Sequence, residues 1–184
     1  MSIHPLCLDP HPTLRRPAQP IDAFTTQLRR VAADMIETMH AHDGVGLAAP
    51  QIGLNIQLFV ANASRRRGKE LIVTNPVIAM TQGRAAVVEV CLSVPNLWER
   101  VARAARVRIT GQDVWGKPMA CEADGLLAII LQHEIDHLRG RLFIDRLSWI
   151  RRCSVALRCV ARRLASAQHM SSGTINSAKR NLCA

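Results

Sequence analysis

The densest chemistry in this sequence lies in the run His133-Glu134-Ile135-Asp136-His137. On a helix, His133 and His137 are four residues apart and fall on one face, so both imidazoles can reach a single ion. Glu134 sits about 100° further round, close enough to touch a water on that ion without ligating the ion itself. A divalent metal lowers the pKa of such a water to about 7, which makes hydroxide available at neutral pH. The pattern reads as a hydrolytic metal site with Glu134 as base. Five residues can also match by chance on an exposed helix, so the reading needs a third ligand.

Downstream there is no good one. Metzincin proteases carry a His six residues after the second, and here that position is Phe143, although Gly140 stands where their motif wants glycine. Thermolysin-like enzymes use a later Glu, but no acidic residue follows Asp145. The third ligand therefore comes from upstream or from Asp145, which is poorly placed only eight residues after His137. Upstream, Cys91 lies in the β-type run Val87–Ser93, ahead of a Val-Pro turn. A thiolate beside two imidazoles would leave a fourth position open, as catalytic metal sites do. A lone cysteine is more often a small buried apolar residue. A third feature is GVGLAAPQ, residues 44–51, whose small residues permit close backbone approach to a ligand and whose Gln51 offers an amide donor. Taken alone, that loop is a turn.

These groups need elements to position them. Asp22 reads as an N-cap, followed by Phe24, Leu28, Val31, Met35 and Met39 on one stripe of an amphipathic helix that should stop before Asp43-Gly44. Short strand patterns follow at 56–61, 71–74, 85–90 and 106–113, and Trp115-Gly116-Lys117 turns the chain into 118–122. Helical character returns from Asp124, a candidate N-cap, to Gly140, a candidate C-cap, and carries the metal motif. A block of strands flanked by helices predicts an α+β fold, with small mixed antiparallel sheets packed around the motif helix. Residues 1–20, with five prolines, read as an extended arm over the body. From Ser148 to about Ser166, Ile150, Cys153, Leu157, Val160 and Leu164 oppose Arg151, Arg158 and Arg162, a basic amphipathic helix; beyond Ala167 the chain is polar and aperiodic.

Composition narrows the class. The 184 residues are enough for one domain with a core, and no apolar run reaches the roughly 18–20 residues that span a bilayer. Six cysteines without a CxxC or a small-scaffold pattern, and no secretory pattern at the start, point to a reducing cytoplasm. The net charge of +10 is lopsided. Residues 146–184 hold seven Arg, one Lys and no acid, leaving 16 basic and 14 acidic side chains in residues 1–145. The expected division is a catalytic domain, 1–147, and a basic segment, 148–184, suited to an anionic partner.

Together and in order, GVGLAAPQ, EVCLS and QHEIDH resemble the GxGxAAxQ, EGCLS and QHExDH motifs of peptide deformylase. Flanking stretches such as ADGLLAI and HLRGRLFIDRLS look like bacterial members, and the resemblance covers about residues 10–148. It implies that Cys91, His133 and His137 bind one divalent metal, natively Fe²⁺, with Zn²⁺, Ni²⁺ or Co²⁺ compatible with the same donors. It implies that Glu134 takes a proton from water and passes it to the departing amine. Gln51 and the Leu92 backbone N–H would hold the oxyanion. The substrate would be the formyl-methionine end of a nascent polypeptide, and formate the product. Leu126, Ile129 and Ile130 precede His133 by seven, four and three residues; with Val45 they would wall the methionine pocket, while Gly46 and Val90 flank the substrate backbone. Asp136 would pair with Arg103 or Arg106 rather than bind metal. Family members also dock on the ribosome through a basic C-terminal helix, which the 148–166 segment resembles. Two departures stand out. Val90 replaces the glycine of EGCLS, adding bulk beside the substrate path while pointing away from the side Cys91 faces. Trp98 falls in the stretch 96–100 where many members place a basic residue.

Overall fold

The computed structural model describes residues 2–155, 157 and 158. The chain divides into two compact units between Arg146 and Leu147. In the first unit, helix α1 spans Thr26–Ala41. Its N-cap is Thr25 rather than Asp22, and the Thr25 hydroxyl accepts from Leu28 N–H at 3.2 Å. Leu28, Met35 and Met39 of the expected stripe are buried, joined by Ala32. The helix is released at Asp43 (φ +53°), whose short polar side chain tolerates the left-handed region.

Seven strands follow: β1 Gly46–Ala48, β2 Leu58–Ala61, β3 Leu71–Gln82, β4 Ala85–Cys91, β5 Val94–Arg103, β6 Arg106–Gln112 and β7 Pro118–Asp124. They form an antiparallel sheet of order β1-β2-β3-β6-β7 and a separate β4–β5 hairpin. Asp113 closes the β6–β7 turn, its carboxylate accepting from Trp115 and Lys117 N–H. Helix α2, Gly125–Leu138, carries the His-Glu-x-x-His run. Asp124 precedes it as expected but makes no side-chain cap bond, and the C-cap is Arg139, with Gly140 one residue beyond at φ +68°. This is the expected α+β architecture.

Strand β2 shows why both helices are needed. Leu58 and Val60 join a core cluster with Leu28, Ala32, Met35 and Met39 of α1. Phe59 and Ala61 point the other way, into a cluster with Ala128, Leu131, Ile135 and Leu138 of α2. The sheet is covered on both faces there, so β2 is apolar throughout rather than alternating. The N-terminal segment runs over this body as expected, bonding through Cys7 N to Gln51 O, Asp9 N to Ser93 O and Ala18 N to Leu138 O.

In the second unit, residues 149–155, 157 and 158 are helical, with Ile150 and Leu157 exposed. The expected continuation to Ser166, with Val160, Leu164 and Arg162, and the polar tail beyond Ala167 lie outside the described residues. No helix among the described residues is long and apolar enough to cross a membrane.

Candidate metal centre

Strand alternation turns Glu89 and Cys91 to the buried side of the β4–β5 hairpin and leaves Val88 and Val90 outside. Helix α2 brings His133 and His137 up to the buried side. Cys91 Sγ lies 3.3 Å from His137 Nε2, which lies 3.3 Å from His133 Nε2. All three ligand atoms fall within 4.8 Å of one another. Metal–nitrogen bonds of about 2.0–2.1 Å and metal–sulfur bonds of about 2.3 Å would set tetrahedral ligand atoms about 3.3–3.6 Å apart, so the donors fit one divalent ion. Asp145, the alternative ligand, is engaged elsewhere. Its carboxylate accepts from Arg15 at 2.6 Å and from Leu142 N–H at 2.8 Å.

A buried ionic chain orients the ligands. His133 Nδ1 is 2.8 Å from Glu89 Oε2, so Nδ1–H donates to the carboxylate and the Nε2 lone pair is left for metal. Arg103, with 1% of its side chain exposed, donates to Glu89 at 2.6 and 2.9 Å and to Asp136. Arg146 forks onto the same Asp136 carboxylate. Burial disfavours the Glu89 anion, but Arg103 and His133 outweigh it and hold its pKa at about 2. The same carboxylates keep Arg103 above its usual value despite burial. Burial also opposes charge on His133, where Cys91 and Glu89 prevail and raise its pKa, whereas burial and the His133 charge push His137 well below the usual range.

Glu134 differs from both neighbouring carboxylates. It is 3% exposed, and its Oε2 has no hydrogen-bond partner among the described residues. Burial raises its pKa to about 7. Gly46 makes room for it, since a Cβ there would lie 2.2 Å from Glu134 Oε1 and 2.9 Å from Ile130 Cγ2. Gln51 is fixed from behind, its Oε1 accepting from Ala48 N–H at 2.8 Å. That turns Nε2 toward Ser93 Oγ at 3.2 Å and Cys91 Sγ at 3.7 Å.

These groups open onto a cavity of about 550 Å³. Val45, Gly46, Val90, Leu126, Ile129 and Ile130, all expected at the substrate, line it. Gln51, Leu92, Cys91, His133 and Glu134 line it too, while His137 lies deeper, 1% exposed. Ile130 also belongs to the core against α2, so pocket wall and core are one surface there. Trp98 stands opposite Val90 on β5 and does not line the cavity. Of the two proposed partners of Asp136, Arg103 is correct; Arg106 instead lies 3.8 Å from the exposed Asp124. The orienting role of Glu89 was missed, though its place two residues before Cys91 on a strand already put both side chains on one face. Arg146 and Ser93 lie inside stretches that carry the resemblance, HLRGRLFIDRLS and EVCLS, but nothing in their spacing assigned them a role.

The sequence matches the family described as Polypeptide deformylase over residues 3–152. It is 42% identical over 153 residues to the peptide deformylase of Acinetobacter baumannii (strain SDF), covering 83% of this chain and 87% of that one. The crystal structure of a peptide deformylase from Legionella pneumophila superposes with a TM-score of 0.83 at 37% identity, covering 90% of this chain and 98% of that one. A peptide deformylase from Synechococcus elongatus, solved in complex with actinonin, gives 0.81 at 37% identity, covering 86% and 88%. This chain belongs to the polypeptide deformylase family.

Proposed function

We propose that this protein hydrolyses the formamide of N-formylmethionyl peptides, releasing formate and a free α-amine, with Cys91, His133 and His137 holding its metal. The observation that carries the reading is the convergence of those three donors at the floor of an apolar cavity whose wall includes the carboxyl of Glu134. Bound there, a divalent ion supplies a Lewis acid that activates water and polarises the formyl carbonyl. Glu134 takes a proton from the attacking water and delivers it to the amine nitrogen as the C–N bond breaks. Gln51 Nε2 and the Leu92 N–H donate to the formyl oxygen as it gains charge. Leu126, Ile129 and Ile130 receive the unbranched methionine side chain. β1 is the end strand of its sheet and β4 is paired with β5 alone among the described residues, so both can bond an extended substrate backbone.

The native ion is Fe²⁺, which follows the resemblance; thiolate ligation makes such a site oxygen-sensitive. The enzyme is cytoplasmic, residues 1–147 form its catalytic domain, and residues 148–184 form a basic segment that docks on the ribosome. The test of the activity is formate release from formyl-Met-Ala-Ser by protein prepared without oxygen, beside Glu134→Gln. The variant should retain metal and lose about 10²- to 10⁴-fold in kcat. No release by the metal-loaded parent would overturn the reading.

A further inference from the structure

The outward face of the β4–β5 hairpin has no part in the chemistry above, yet it is unusually apolar. Val88 is 65% exposed, Val90 70% and Trp98 59%. The register sets Val90 directly opposite Trp98, and Val88 directly opposite Arg100. Single exposed apolar residues need no explanation, but a cluster of large ones marks a contact surface. This cluster continues from the cavity, because Val88 and Val90 also line its rim. The edge of β4 away from β5 pairs with no other strand among the described residues.

Those facts fix what can lie there. A peptide extended along the open edge of β4 alternates its side chains between the two faces. The methionine side chain enters on the α2 side, against Leu126, Ile129 and Ile130, the side to which Glu89 and Cys91 also turn. The side chain of the next residue must then emerge on the opposite face, beside Val88 and Val90, with the Trp98 indole one strand further on. An apolar side chain there would cover Val90 and Trp98, whereas glycine would leave both in water.

We infer that Val88, Val90 and Trp98 form a second specificity surface, which selects formyl-methionyl peptides carrying a large apolar side chain at the residue after methionine. The inference rests on the activity proposed above and names the substrates that activity favours. Val90 is then a selectivity device: it blocks nothing at the metal and supplies the inner half of the surface.

The experiment compares kcat/KM for formyl-Met-Leu-Ser and formyl-Met-Gly-Ser in the metal-loaded parent, Trp98→Ala and Trp98→Phe. The parent should favour the leucine peptide about five- to tenfold, mainly through KM, as expected for partial burial of one apolar side chain. Trp98→Ala should bring the ratio close to one, and Trp98→Phe should keep most of it. A parent ratio near one overturns the inference. So does a ratio that survives Trp98→Ala, including one preserved because both rates fall together, which would make Trp98 a support of the hairpin only. Failure of the activity itself is distinguishable, since the parent would then release formate from neither peptide.

Discussion

Glu89, Glu134 and Asp136 are all buried within one site, yet neighbours give them different work. Glu89 and Asp136 both accept from Arg103, which helps to lower the pKa of Glu89, while Glu134 has no cation bonded to it among the described residues and its pKa is raised by burial. Removing charge from Glu89 therefore acts through two partners. Glu89→Gln leaves Arg103 with half its counter-charge and weakens the acceptor for His133 Nδ1–H. The expected cost is about 3–5 kcal/mol of folding stability, measured by urea denaturation. Metal affinity should fall about 10- to 100-fold in chelator competition. Gly46 offers a complementary test, because a side chain there would meet the proposed base, Glu134, and none of the metal-binding residues. In Gly46→Ala the new methyl would overlap the Glu134 carboxyl, 2.2 Å away, and displace it. A misplacement of about 1 Å can cost about 10²-fold, so kcat should drop by that order while metal content by elemental analysis stays at the parent level.

The elements were legible where one pattern governs and hidden where tertiary pairing does. Helices α1 and α2 follow from their apolar spacing and end signals, though Thr25 takes the cap role expected of Asp22. Strand β1 read as a glycine-rich loop because three residues carry no periodicity; only pairing with β2 makes them a strand. β3 was cut short at Thr74, since Asn75 (φ +48°) and Pro76 break a strand pattern, yet a register shift between Thr74 and Val77 lets pairing resume. β5 was missed altogether, with Pro95, Asn96, Glu99 and Arg100 obscuring its buried positions Leu97, Val101 and Arg103. That omission also hid the buried ionic chain, because Arg103 reaches Glu89 only through the hairpin. The β2–β3 connection shows the same dependence on a distant partner. The Glu70 carboxylate accepts from Gly68 N–H and Asn62 Nδ2 and lies 2.8 Å from His40 Nε2 on α1. Burial opposes the Glu70 anion, but these bonds prevail and lower its pKa in the folded state. Its stabilising effect is thus complete above the ordinary carboxylate range and is lost as pH falls through the lower folded value. Melting temperatures of the parent and Glu70→Gln should differ most at neutral pH and converge on acidification; a gap that widens in acid would refute the assignment.

Across the whole molecule, the proposed catalytic groups and the excess charge occupy different stretches of chain. Every ligand, Glu134, Gln51 and the cavity wall lie between Asp43 and His137, and the ionic chain that orients them ends at Arg146. Residues 1–145 are nearly balanced at 16 basic and 14 acidic side chains, whereas residues 146–184 carry eight cations and no anion. On the proposed reading, a small formyl peptide needs nothing beyond Arg146 and Leu147 from the second stretch. An anionic partner such as ribosomal RNA needs little else, because backbone phosphates reward cation number more than detailed geometry. Deleting residues 149–184 should accordingly leave formate release from formyl-Met-Ala-Ser unchanged and abolish co-sedimentation with ribosomes. Binding by the full chain should weaken steeply between about 50 and 200 mM salt, because each phosphate contact releases counterions. If the truncated protein sedimented as well as the parent, docking would have to rest on the nearly neutral body, and the excess of arginine would do no more than keep the segment solvated. If release of formate fell with the deletion instead, the separation of catalysis from charge would be wrong, and the segment would belong to the catalytic domain.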